Sequence, residues 1–205
     1  MTLSAPTCAR RAARLLRALT LTGALLATQA TAIAAAAPHR AHATSSAACP
    51  DRALIPTTAN APRAEAATLC LINLQRARQH LAALRPNADL ARSAQRHSKD
   101  MVAANYFDHT SPSGETPLAR IKASTYLPRH SAYLVGENIA LATMALATPD
   151  AIVSAWMHSP GHRANILNPD YRDSGIGIVA HAPTKYSAGQ PGATYTQQFG
   201  VIATT

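Results

Sequence analysis

Late in this chain the hydrophobic period changes from helical spacing to strict alternation, and that order limits what it can build. Pro62 fits the first turn of a helix. Leu69, Ile72, Ala77 and Leu81 then fall close to one face before Arg85-Pro86-Asn87 breaks the run, so the spacing predicts a first helix over 63–81. Asn87 or Asp89 can cap a second, in which Leu90, Ala94, His97, Met101 and Ala104 recur at helical intervals until Tyr106-Phe107. A short third helix is expected from Thr116-Pro117 to Ser124. A fourth should run from Thr148-Pro149-Asp150 through Trp156 to His158, stopped by Pro160-Gly161. After that, Ile176, Ile178 and Ala180 alternate with Gly and Val, and Tyr195, Gln197 and Phe199 alternate with Thr, Gln and Gly, which is strand patterning. The stretch Ala182–Ala193 has the length of a long hairpin connection, so the two strands should pair antiparallel, and a further short strand is possible around Glu137–Leu141. Helices first and strands late predict an α+β domain in which helices cover a small antiparallel sheet.

The N-terminal segment follows different rules. Residues 1–43 combine basic residues, the apolar stretch Ala18–Ala27 and several Ala-x-Ala sites, the pattern of a cleavable signal peptide whose exact cut stays open. The apolar core is shorter than the ~20 residues of a spanning helix, and no other candidate follows, so no membrane span is expected in the mature protein. Residues 44–62 are Ala, Ser, Thr and Pro with little to bury and read as a flexible leader, leaving 63–205 as the folded domain.

Export reorganises the charge and cysteine arguments. The formal charge of +9 includes Arg10, Arg11, Arg14, Arg17 and Arg40, and removing them leaves +4 without an aromatic-interleaved basic stripe, so nucleic acid is not an expected partner. Cys8 leaves with the signal. Cys49 and Cys70 remain as an even pair in an oxidising compartment, where a Cys49–Cys70 disulfide is expected. A secreted, periplasmic or cell-envelope location fits equally, and a monomer is the expectation.

Four islands carry chemistry: Tyr106-Phe107-Asp108-His109-Thr110-Ser111-Pro112, Gly136-Glu137-Asn138-Ile139-Ala140, Ser159-Pro160-Gly161-His162-Arg163-Ala164-Asn165-Ile166-Leu167, and Asp173-Ser174-Gly175-Ile176-Gly177-Ile178. In this order they resemble the bacterial branch of the CAP superfamily (SCP/PR-1-like). Asn73-Leu74-Gln75-Arg76 and Gln197-Gln198-Phe199-Gly200 are similar to the same family's first helix and closing strand, so the resemblance runs from about Leu69 to Val201. It implies a three-layer α-β-α sandwich with a surface cleft into which His109, Glu137 and His162 project. Two imidazoles and a carboxylate suit a divalent ion, zinc best, with positions left for water. Ser159 stands where fuller members of the family carry a second glutamate, so a hydroxyl replaces a carboxylate beside the cleft. Arg163 and Asn165 are expected to pin their loop rather than touch ligand, and His97 and His158 are expected to be structural or surface groups.

No catalytic residue is assigned from these motifs. Ser111 has neither a Gly-x-Ser-x-Gly elbow nor an identifiable aspartate partner, which disfavours a serine hydrolase. The first functional expectation is a non-enzymatic exported module that binds a divalent metal or small ligand in the His/Glu cleft. The alternative is a metal-assisted hydrolase of peptide or cell-wall substrates. Sterol or lipid binding ranks last, because the loop used by such relatives is not identifiable here.

Overall fold

The computed structural model describes residues 48–129 and 131–203, so the signal segment expected over 1–43 lies outside the described residues. Helix α1 spans Ala61–Ala77 with Pro62 in its first turn and buries Ala64, Ala67, Leu71 and Ile72. It ends four residues before the predicted Leu81, because His80 takes a left-handed φ of 56° and Leu81 N–H turns back to Arg76 O at 3.0 Å. The reason lies inside the domain. The buried Arg76 guanidinium donates to the carbonyls of Ala82, Ile166, Asn168 and Tyr171, which ties the chain leaving α1 to a distant loop. Asn73 clamps the same exit by bonding both the N–H and C=O of Leu84.

Strand β1 is only Arg85–Pro86. Asn87 then caps helix α2 (Ala88–Ala103) by accepting from the N–H groups of Asp89 and Leu90 at 3.0 and 3.1 Å. Helix α3 (Pro117–Lys122) and helix α4 (Pro149–His158) are capped by Thr116 and Thr148, each with proline in the first turn. Strand β2 spans Tyr133–Thr143, far longer than the short segment expected there, and leads into a 3-10 turn at Met144–Ala147.

Pro160 does not simply stop α4. Ser159 adopts an extended conformation that ends one helix, and Pro160 opens another, α5 (Pro160–Ile166). The same ring that blocks continuation suits a first helical position. Strand β3 (Asp173–Val179), the short helix α6 (Thr184–Ser187) and strand β4 (Gly192–Ile202) are the last elements among the described residues.

The sheet order is β1-β3-β4-β2. β4 pairs antiparallel with β3, as the hairpin expectation required, and also with β2, whereas β1 runs parallel to β3, so the sheet is mixed rather than wholly antiparallel. Alternation sends Ile176, Ile178, Tyr195 and Phe199 to one face, where they join Leu71, Ile72, Trp156 and Ile166 in the main core. Tyr171 stacks on Phe199 at 5.1 Å, and Trp156 meets Tyr195 edge-on while its indole N–H donates to Ile139 O. The opposite face carries Gly175 and Gly177 under α2, with Leu90, Ile121 and Tyr126 forming a smaller cluster beside α3. The result is three layers, helices α1, α4 and α5 on one side of the sheet and α2 and α3 on the other.

Cys49 and Cys70 form a disulfide across a sequence separation of 21 residues, worth about 3 kcal/mol in the chain-entropy model. Residues 48–60, part of the segment expected to be a leader held only at Cys49, make further attachments. Arg52 pairs with Asp150 at 2.5 Å and accepts Asp150 N–H on its carbonyl, while Asp51 pairs with Arg63. Exposed pairs of this kind contribute ~1 kcal/mol or less each, so they set the path of the segment more than its stability.

Candidate functional site

Glu137 points from β2 toward the α2 side of the sheet and is 7% exposed. The register places Gln198 of β4 directly opposite. Its amide donates to Glu137 Oε2 at 3.1 Å. From α3, the fully buried Arg120 grips the same carboxylate with Nε to Oε2 at 3.1 Å and Nη2 to Oε1 at 3.2 Å. His109, on the loop after α2, places Nδ1 at 2.9 Å from Oε1. An ionised carboxylate only accepts, so His109 Nδ1 carries a proton directed at Glu137, and Nε2 is the ring nitrogen left outside this bond. The ring is accessible, for the His109 side chain is 46% exposed.

The carboxylate is therefore saturated. Burial alone would raise the Glu137 pKa, but the hydrogen bonds from His109 and Arg120 and the charge of Arg120 outweigh it and hold the group below the ordinary carboxylate range. Arg120 is braced in turn by the carbonyls of His109 and Glu115. His97 closes the back of the network. Its Nε2 lies 3.1 Å from both Asp108 O and Arg120 Nη2 and 3.8 Å from Glu137 Oε1, and its Nδ1 faces Tyr106, whose hydroxyl donates to Asp100. Desolvation lowers the His97 pKa, which keeps the ring neutral at neutral pH.

His162 approaches His109 from α5, which packs against β2. Asn138 Nδ2 donates to His162 O, while Asn165 donates to Glu137 O and to Asn138 Oδ1, so two amides fasten α5 along the edge of β2. The His162 ring packs near Trp156, and its pKa is lowered first by desolvation and then by the nearby His109. Asn165 thus pins its segment as expected, whereas Arg163 lies on the exposed side of α5.

The structure brings His109, Glu137 and His162 to one place but in a different arrangement from three ligands around an ion. Every lone-pair direction of Glu137 is occupied, and among the described residues no group of three His, Cys, Asp or Glu side chains is disposed to hold a metal. The two imidazoles fall one short of the three protein ligands typical of catalytic zinc. These residues as placed do not fit a resident divalent ion. Ser159 sits half-buried at the α4–α5 junction with no side-chain cap bond. Ser111 bonds Ser113 and Glu115 N–H within its own turn, and His158 is exposed against Ser154 O.

Sequence reasoning missed Arg120 and Gln198 and placed His97 outside the site. Gln197-Gln198 carried a signal, since two adjacent amides in a buried strand must find partners. Nothing local marks Arg120.

A layered α-β-α domain with two histidines beside a buried Arg–Glu pair is the class of protein that this geometry defines. The family model described as "CAP: Cysteine-rich secretory protein family" matches residues 69–199, and the chain belongs to that family. It is 37% identical over 147 residues to YkwD of Bacillus subtilis (strain 168), a match covering 70% of this chain and 51% of that protein. The chain thus spans about half the length of this curated relative. Among solved structures it is similar to an extracellular protein containing a SCP domain from Bacillus anthracis, with 30% identity, a TM-score of 0.55, and coverage of 70% of this chain and 43% of that one. An outer surface protein from Borrelia burgdorferi shares the fold at 21% identity and a TM-score of 0.53, covering 66% of this chain and 90% of that one. No helix among the described residues is long and apolar enough to cross a membrane.

Proposed function

We propose that this chain is an exported CAP module that binds a small polar ligand or envelope component at the His109–His162 cleft and does not turn it over. One observation carries the reading: Glu137, the carboxylate beside the two histidines, is held in a buried bidentate pair with Arg120 and cannot serve as a free general base. Its work is orientational. It fixes the His109 tautomer and presents Nε2 to the solvent side, while desolvation keeps His162 neutral beside it. The extracellular description of the similar Bacillus anthracis protein agrees with export.

The test pairs turnover with retention. Protein incubated with peptidoglycan or casein, with and without added Zn²⁺, is expected to release no product while a control hydrolase does. In sedimentation with isolated cell envelopes, the wild type should pellet and the double variant His109→Ala, His162→Ala should remain in the supernatant. Product formed by the wild type and lost in Glu137→Gln would overturn the non-enzymatic reading. Equal pelleting of the double variant would overturn the cleft.

A further inference from the structure

Well away from the histidine cleft, β3 has an open edge. β1 covers it only as far as Ser174, whose carbonyl accepts Asn87 N–H at 2.9 Å. Beyond that point α1 and α2 flank the edge from opposite faces of the sheet. They leave two confluent grooves of about 380 Å³ each, which share Pro62, Glu65, Ala91 and Ile176 in their walls. Clefts of roughly 300–1,000 Å³ are the usual size for small ligands.

The backbone along this edge is satisfied on either side of one residue. Ile178 N–H donates to Glu65 Oε1 at 3.1 Å, and Ile178 O accepts Gln95 Nε2 at 3.2 Å. Antiparallel alternation turns the N–H and C=O of Ile176 the same way, into the groove. Among the described residues no hydrogen bond reaches them from that side.

Glu65 is the second anomaly. Its carboxylate is half-buried at the meeting point of the two grooves, and Ile178 N–H is its one hydrogen-bond partner among the described residues. Desolvation raises its pKa, and no cation offsets that effect. Arg92 lines the same groove but is paired with Asp89. Guarding a strand edge explains a polar side chain here, and glutamine would serve that purpose equally well. It does not explain a desolvated charge without a counter-charge.

We propose that this groove binds a short extended peptide with a lysine or arginine side chain, the cation pairing with Glu65 and the peptide backbone pairing with Ile176. Strand addition at an open edge supplies the backbone recognition, and the half-buried carboxylate selects the basic residue. The site is independent of the His109–His162 reading.

The test is an amide-resolved NMR titration of the exported protein with acetyl-Ala-Lys-Ala-amide, using the norleucine and glutamate peptides as controls. The lysine peptide should move the Ile176, Ile178 and Ala91 amides, and the controls should not. Glu65→Gln keeps an acceptor for Ile178 N–H, so it should preserve the fold and weaken the lysine peptide by about tenfold or more. No movement at these amides at millimolar lysine peptide, an equal response to norleucine, or unchanged affinity in Glu65→Gln would each overturn the proposal. The norleucine comparison uses wild-type protein and decides the matter even if the variant folds poorly.

Discussion

Arg120→Met is expected to lower the stability of the domain by about 3–5 kcal/mol at neutral pH, the range for removing one partner of a buried ion pair. The substitution roughly preserves volume, so the loss reports charge and hydrogen bonding rather than a cavity. Without the guanidinium, Glu137 would keep only His109 and Gln198 as donors in a nearly inaccessible position. The pH dependence follows from the direction of the pKa shift. In the wild type the Glu137 pKa is depressed on folding, so its contribution is fully present above the unfolded carboxylate pKa and fades as pH falls through the folded value. In Arg120→Met, burial dominates and the folded pKa rises above the unfolded one, so acid protonation relieves the strain. The deficit relative to wild type should be greatest at neutral pH and shrink in mild acid, as read from urea unfolding at both conditions. A deficit independent of pH would mean that Arg120 acts through its carbonyl contacts instead.

Gly177→Ala is expected to cost the upper end of the ~1–3 kcal/mol typical of overpacking, or more. A Cβ at this position would meet Gln95 N at 2.2 Å, Gln95 Cα at 2.4 Å and Ala94 C at 2.5 Å, all backbone atoms of α2. Backbone cannot rotate away as a side chain can. The helix would have to lift from β3, carrying His97 off the Glu137–Arg120 pair and breaking the bonds of Ser98 to Gly177 O and Thr196. Gly161→Ala is the control, because beyond its chain neighbours and the backbone of its own helix nothing lies within 4 Å of the added carbon. Thermal unfolding should separate the two variants clearly, and equal melting temperatures would refute the close approach of α2 to the sheet.

Helix starts were legible in the sequence because proline and a Thr or Asn cap announce themselves locally, as at Asn87, Thr116-Pro117 and Thr148-Pro149. The β3–β4 pairing followed from alternation. Helix α5 was not read, because Pro160 ends one helix and begins the next, and the two roles look alike in a string of letters. The end of α1 depends on Arg76 bonding carbonyls near residues 166–171, a long-range contact with no local mark.

The site divides along the same line. His109, Glu137 and His162 stood out in their motifs, but the relation among them was set by Arg120, which reaches Glu137 across 17 residues of chain. A histidine on an apolar helical face reads as structural. His97 is both structural and part of the site, since it lies on the buried face of α2 while touching the guanidinium that holds Glu137.

The orienting role of Glu137 is tested most directly by the tautomer of His109, read from long-range ¹⁵N–¹H correlations of the imidazole at mildly alkaline pH. The proton is expected on Nδ1, directed at Glu137, with Nε2 bare toward the cleft. A dominant Nε2–H form would contradict this, because His109 Nδ1 would then be an acceptor facing a carboxylate and Glu137 could not be the group that orients it.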